Sequence, residues 1–131
     1  MKIYFAFSIR GGKRDEKLVD EVYEFLTKNG HKITTEFNII PKYDERLFSD
    51  YDIFKRDINA LLESDILLAD VNSPSLGVGY EIAFALSKNK KVIAFAKEGI
   101  SLSAMINGNP EITLIRYKDL EDLKNKLKNY F

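Results

Sequence analysis

Glu81 is the residue in this chain whose type and setting most directly call for chemistry. It is the only charged residue between Asp70 and Lys88, flanked by Tyr80, Ile82, Ala83, Phe84, Ala85 and Leu86. A helix this apolar is expected to be buried nearly all round. An unpaired carboxylate in such surroundings costs several kcal/mol, so a merely structural role demands a partner. Asp57 raises the same question. It lies three residues after Phe54 and just before Ile58 and Leu61, on the core-facing stripe of its own helix. Paired carboxylates in diverging environments are a recurrent sign of acid, base or nucleophile work. The plainer reading of Asp57 is a cap, or an ion pair with Arg56 or Arg10.

Two glycine-containing loops could deliver a ligand to these carboxylates. The first reads Ser8-Ile9-Arg10-Gly11-Gly12-Lys13-Arg14. Its glycines let several backbone N–H groups turn toward one anion, and Arg10 adds a guanidinium fork. A following helix N-terminus contributes partial positive charge, so the loop suits a phosphate. The bland alternative is a strand-to-helix turn with solvated basic residues. It is not a Walker A loop, because Arg14 follows Lys13 where Ser or Thr belongs. The second loop, Asn72 to Glu81, contains Pro74 and Ser75 as a helix start, with the Ser75 hydroxyl beside free backbone N–H groups. Gly77 and Gly79 permit something bulky to come close; their match to a dinucleotide fingerprint is weak, since Ile82 replaces the third glycine. Tyr4 reads as strand core, Asp70 as a strand end able to cap a turn or reach the site, and His31 as surface.

The elements that must position these loops follow from periodicity. Lys2–Ser8, Ile66–Val71, Lys91–Ala96 and Ile112–Tyr117 are short apolar runs that read as strands, with His31–Glu36 a more polar strand suited to an edge. Helical patterns lie between them over Asp15–Asn29, Tyr51–Ser64, Leu76–Asn89 and Leu120–Phe131, and a short helix is expected within Ser101–Gly108. The alternation implies an α/β fold: a flavodoxin-like three-layer sandwich with a five-stranded parallel sheet of order 2-1-3-4-5 and helices on both faces. Ligands in such sheets bind beyond the strand C-termini where the order reverses, between strands one and three. Those are the ends that carry the two loops.

Composition narrows the function classes. The 131 residues suit one domain. With 20 basic and 20 acidic residues, no global field draws the chain to nucleic acid or to a membrane. Cysteine is absent and His31 is the only histidine, which excludes thiolate and His-based zinc sites and disfavours a Ser-His-Asp triad. No apolar run reaches the ~20 residues of a membrane span, and Met1-Lys2-Ile3 opens a strand-like segment, not a signal peptide. A cytoplasmic setting is expected, with neither metal nor cofactor required.

The segments Tyr4–Gly12, Ser73–Glu81 and Leu102–Ile106 together resemble the 2'-deoxynucleoside 5'-monophosphate N-hydrolases of the nucleoside 2-deoxyribosyltransferase superfamily. The likeness spans nearly the whole chain, so residues 1–131 are expected to form one such domain. The resemblance implies that Glu81 is the nucleophile at the anomeric carbon, that Asp57 is the acid assisting base departure, and that Tyr4 orients Glu81 or polices the sugar 2'-position. It implies a 5'-phosphate held by Ser8, Ile9, Arg10, Gly11 and Ser75, with Gly77, Gly79 and Met105 lining the site. Ser103 would complete the phosphate site from the neighbouring subunit of a homodimer. One position departs from the pattern: Phe7 stands where the family usually has glycine, and a ring there is expected to narrow the base pocket or change which nucleotide fits. The implied reaction is hydrolysis of the N-glycosidic bond of a deoxynucleoside monophosphate. Its nearest rival is base exchange on unphosphorylated deoxynucleosides; more distant are a receiver-like signalling module, for which the acidic pair after strand one is missing, and a nucleotide sensor without activity.

Overall fold

The computed structural model describes residues 1–9, 15–39 and 47–131. Its strands are β1 (Lys2–Ala6), β2 (Lys32–Ile33), β3 (Ile66–Asp70), β4 (Lys91–Lys97) and β5 (Ile112–Tyr117). The helices are α1 (Glu16–Lys28), α2 (Asp50–Glu63), α3 (Leu76–Ser87), α4 (Ala104–Asn107) and α5 (Leu120–Leu127). The strands form one parallel sheet of order β2-β1-β3-β4-β5, the α/β order that the alternating sequence pattern implies. Each helix start carries the side chain that sequence chemistry asks for. Asp15, Ser49, Ser75, Ser103 and Asp119 accept from the free N–H groups of the first turns of α1 to α5 in order.

Alternation along the strands divides the interior in two. Ile3, Phe5, Phe7, Leu68, Ile93, Phe95, Ile115 and Tyr117 point to the face covered by α1 and α5, where Val19, Val22, Leu26, Leu123 and Leu127 meet them. Tyr4, Leu67 and Val92 point the other way, toward Ala60 and Leu61 of α2 and Val78, Ile82 and Ala85 of α3. The two faces are unequal in bulk. On the α2/α3 side the register sets Ala6 beside Ala69 and Ala69 beside Ala94, a row of methyl groups across the C-terminal half of the three central strands. One residue row lower, Tyr4, Leu67 and Val92 fill the same face with larger groups. The small row leaves space above the strand ends, and that is where a ligand site in this fold belongs.

Two elements differ from what the sequence suggests. The edge strand is two residues long instead of six. Beyond Ile33 the Thr35 hydroxyl accepts from the Phe5 N–H at 3.2 Å and donates to the Phe5 carbonyl at 2.9 Å. A side chain thus takes over the backbone pairing, and the chain turns into a single 3-10 turn at Glu36–Asn38. Helix α3, expected to be buried nearly all round, buries only the face of Val78, Ile82 and Ala85. Leu76 and Tyr80 are 95% and 53% exposed, because the sheet can cover only one side of a helix laid on it.

The C-terminal ends of β3, β4 and β5 are tied by one amide. Asn72 donates from Nδ2 to the Asp70 carboxylate at 2.7 Å and to the Tyr117 hydroxyl at 2.9 Å, and its Oδ1 accepts from the Lys97 N–H at 2.8 Å. Asp70 is buried, and burial pushes its carboxyl above the ordinary range although the Asn72 hydrogen bonds pull against that. Asn72→Ala strips partners from a buried carboxyl and a phenol together, so urea unfolding should show a loss of about 1–3 kcal/mol. A change below the error of the measurement would mean that the clasp contributes nothing to the fold.

Candidate active site

A cleft of about 1060 Å³ opens above the alanine row, with Phe7, Asp57, Ser75, Glu81 and Ser103 on its walls. Its floor is the end of β1 and β3, its sides are α2 and α3, and the segment before and through α4 forms the far wall. The topology therefore brings together side chains from four separate stretches of the sequence.

Glu81 and Asp57 both face this cleft. Burial first, and the nearby Asp57 charge second, push the Glu81 carboxyl up to about 8, from an ordinary value near 4.5. The Tyr4 hydroxyl hydrogen-bonds Glu81 and draws this back in part. Tyr4 itself is 1% exposed, and its own ionisation is driven far above the usual phenol range by burial, then by the charges of Glu81 and Asp57. It therefore remains a hydrogen-bond donor at any working pH. Asp57 is held on its other side by Arg56, whose Nε and Nη2 donate to Oδ1 at 2.8 and 2.6 Å. Arg56 is fixed in turn by the Asn38 side chain at 3.3 Å and by the Phe37 ring, 4.1 Å from the guanidinium. The ion pair weighed as the plainer reading of Asp57 is thus present. It does not remove Asp57 from the cleft. Arg56 thus stands beside Asp57, while burial and the Asp57 charge raise the Glu81 carboxyl.

The other candidates are arranged around this pair. Ser8 is buried, and its Oγ has no hydrogen-bond partner among the described residues. Ile9 is half exposed on the cleft wall, while Arg10 and Gly11 lie outside the described residues. Ser75 caps α3, with its Oγ accepting from the Val78 N–H at 3.3 Å. A Cβ at Gly79 would meet nothing within 4 Å, and one at Gly77 only the Ser75 hydroxyl at 3.9 Å. Packing within the chain thus does not demand glycine at either position, and both line the cleft. Two glycines in a helix cost roughly 1 kcal/mol each relative to alanine, so the vacancy is retained against local stability. Ser103 caps α4 with its Oγ 3.2 Å from the Met105 N–H, and both residues are exposed on the far wall. Phe7 does line the cleft. Its ring, however, is 94% covered and packs edge-on to Phe5 at 5.2 Å within the α1/α5 core, so the expected intrusion into the pocket is small.

Some residues stay apart. Asp70 projects to the opposite face of the sheet from Glu81, as strand alternation requires, and does not join the carboxylate pair. His31 sits 3.4 Å from the chain's N-terminal amine and against Phe131, remote from the cleft. Sequence reasoning mentions Arg56 only as an alternative partner and misses Asn38 and Phe37, because a residue in an irregular turn has no periodicity to give it away. Among the described residues no group of three or more His, Cys, Asp or Glu is placed to hold a metal ion, and no helix is long and apolar enough to cross a membrane.

Residues 3–115 fit the family model described as nucleoside 2-deoxyribosyltransferase. The chain belongs to the nucleoside 2-deoxyribosyltransferase family. Relatives within it are similar over nearly their full length. A Syntrophotalea carbinolica protein, provisionally named 2'-deoxynucleoside 5'-phosphate N-hydrolase 1, is 39% identical over 132 residues, which cover 98% of this chain and 93% of that one. The Danio rerio 5-hydroxymethyl-dUMP N-hydrolase is 34% identical, covering 100% and 96% respectively. Among solved structures, a Clostridium botulinum CMP N-glycosidase superposes with a TM-score of 0.78 at 22% identity over the whole of both chains, a likeness of fold.

In this family member the raised Glu81 carboxyl leaves a signature in stability. Its folded value of about 8 exceeds the unfolded value near 4.5, so in that window the folded chain keeps a proton that the unfolded chain releases. Stability contributed by this group is present below pH ~4.5 and is lost as pH climbs toward 8. Glu81→Gln cannot ionise. Thermal melts should show it matching the parent near pH 4 and exceeding it by about 1–3 kcal/mol near pH 8, solvent at the open side of the cleft trimming the full value. A difference independent of pH would place the perturbation elsewhere.

Proposed function

We propose that the chain hydrolyses the N-glycosidic bond of 2'-deoxynucleoside 5'-monophosphates, releasing the free base and deoxyribose 5-phosphate, with Glu81 as nucleophile. The observation that carries this reading is the desolvated Glu81 carboxyl sharing a cleft with Asp57 above the strand ends. The names of relatives at 34–39% identity over nearly the full chain support the same reaction and substrate class.

Departure of the base leaves an oxocarbenium-like sugar, which a carboxylate beneath the anomeric carbon stabilises. The Glu81 carboxylate attacks that carbon, the N-glycosidic bond breaks with its electron pair going to the base, and a glycosyl ester remains. The proton that Glu81 carries in the free cleft must leave before attack. Asp57, the neighbouring carboxyl, is the group that takes it and passes it to the departing base, a transfer worth perhaps 10²–10⁴-fold. The Tyr4 hydroxyl holds the attacking oxygen in place by donating to it. Water then opens the ester. The 5'-phosphate anchors the substrate at a distance from the breaking bond, held by Ser8, Ile9, Arg10, Gly11 and Ser75, so its binding energy positions the sugar. The unsatisfied Ser8 hydroxyl and the open space at Gly77 and Gly79 fit such an occupant. The setting is cytoplasmic, with no metal in the mechanism.

The same reading includes a homodimer. The exposed apolar surface of α2 and α3 continues through Phe54, Leu62, Leu76 and Tyr80, with Phe54 and Tyr80 edge-to-face at 6.3 Å and Met105 exposed close by across the cleft. A second copy covers this face and brings its Ser103 toward the phosphate. Light scattering should give twice the chain mass, and Phe54→Arg, outside the cleft lining, should halve it; a parent that is already monomeric rejects the dimer.

Two measurements test the chemistry. Glu81→Ala should lower base release from a deoxynucleoside monophosphate by at least about 10³-fold while nucleotide binding changes little, since it removes the reacting group and not the phosphate site. Normal turnover in this variant would end the proposal. The kcat/KM of the parent should fall as pH rises past about 8, where the pair loses to water the proton that the departing base needs. Release from ribonucleotides at the same rate would contradict the sugar assignment.

A further inference from the structure

Arg116 is out of place in its strand. It is the only charge in the run Ile112–Tyr117, and strand alternation puts it on the same sheet face as Ile112 and Leu114, the face that carries the cleft. Among the described residues its guanidinium pairs with no acid. Nη1 donates to the Lys97 carbonyl at 3.2 Å and to the Ile100 carbonyl at 2.7 Å, and Nη2 reaches the Asn107 side-chain oxygen at 3.5 Å. These three acceptors bracket one segment. Lys97 ends β4, Ile100 follows a turn through Gly99 at a φ of +86°, and Asn107 is the last residue of α4. Between them lies the arm that forms the far wall of the cleft, including Ser103.

The arm has little of its own to hold it. Helix α4 is four residues long and buries none of them, and a helix that short is not stable alone. Leu102 and Ile106 rest partly buried on the core below. The fork of one guanidinium therefore fastens both ends of a segment whose middle projects into the cleft. Asparagine or lysine could not span three acceptors in this way, because only the guanidinium offers five donors in a rigid plane.

We propose that Arg116 is a positioning residue for the substrate's 5'-phosphate, acting through Ser103 by fixing the arm that presents it. This rests on the reading of Ser103 as a phosphate ligand given above, in whichever subunit's cleft Ser103 serves. The reacting groups Glu81 and Asp57 stand on α3 and α2, which Arg116 does not touch, so its influence falls on substrate capture and not on bond breaking.

The test is a double-mutant cycle on the full chain with a deoxynucleoside monophosphate as substrate. Arg116→Met should raise KM by about 5- to 20-fold while kcat moves less than about 2-fold, the pattern of a lost binding contact. Ser103→Ala should do the same. The double variant should be no worse than Ser103→Ala alone, because a residue that works only through Ser103 has nothing left to position. Arg116→Lys keeps the charge but loses the fork, should fall between parent and Arg116→Met, and carries the test if Arg116→Met does not fold. A KM change in Ser103→Ala without one in the Arg116 variants, or effects that multiply in full in the double variant, overturns the positioning role. No KM change in Ser103→Ala overturns instead the phosphate reading on which it rests.

Discussion

The structure depends on keeping one carboxyl group, Glu81, partly out of water. Such a group is costly to ionise, and among the described residues the groups that act on it are the Tyr4 hydroxyl and the charge of Asp57. Asp57, on α2 at the other side of the cleft, is gripped by Arg56 through two nitrogens. Two identical functional groups are driven apart in character by what stands behind each of them. That asymmetry is built from irregular structure: Arg56 can turn toward Asp57 because the Phe37 ring and the Asn38 amide hold it there. The turn that supplies them exists because Thr35 ends the edge strand early by hydrogen-bonding Phe5 with its side chain. A single threonine hydroxyl thus connects the truncation of β2 to the electrostatics of the cleft.

The cleft lies beyond the C-terminal ends of the strands, lined there by Phe7, Val71 and Asn72. Beneath it the face toward α2 and α3 carries the buried small residues Ala6, Ala69 and Ala94, while the opposite face carries Phe5, Phe7 and Phe95. Phenylalanine at position 7 belongs to this division of labour. Its ring extends the packed face, edge-on to Phe5, and so thickens the wall without filling the space on the other side.

How legible this was in the sequence varies with the kind of signal. The sheet order and the approximate span of each helix could be read, because apolar periodicity is a local property of the chain, while the caps Ser49 and Ser103 were not singled out as helix starts. Glu81 and Asp57 could be singled out, because a charge within an apolar stripe is visible without coordinates. The length of β2 could not be read, since it is set by whether Thr35 pairs through its hydroxyl or its backbone, and either suits a strand pattern. The surroundings of the two acids could not be read either, since the guanidinium that meets Asp57 is adjacent in sequence and could equally have pointed to solvent. Arg116 was invisible for a similar reason: an arginine near the end of an edge strand reads as a solvated terminus until its three acceptors are known.

Helix α3 shows most clearly where single-chain reasoning stops. Twelve residues carry one charged side chain among apolar and small ones, a composition suited to burial on all sides, yet the sheet and α2 cover only one. Uniform apolarity is therefore a statement about more than this chain's core. The same helix spends its first turn on Gly77 and Gly79, which nothing in the chain requires and which weaken it. Both oddities have one resolution. On the proposed function, a helix that faces the sheet with one side, the substrate with its N-terminal turn and a second copy with the remainder has no side left for charge, except at the one position assigned to the chemistry. Glu81 occupies that position, and the sequence around it is what such a helix must be.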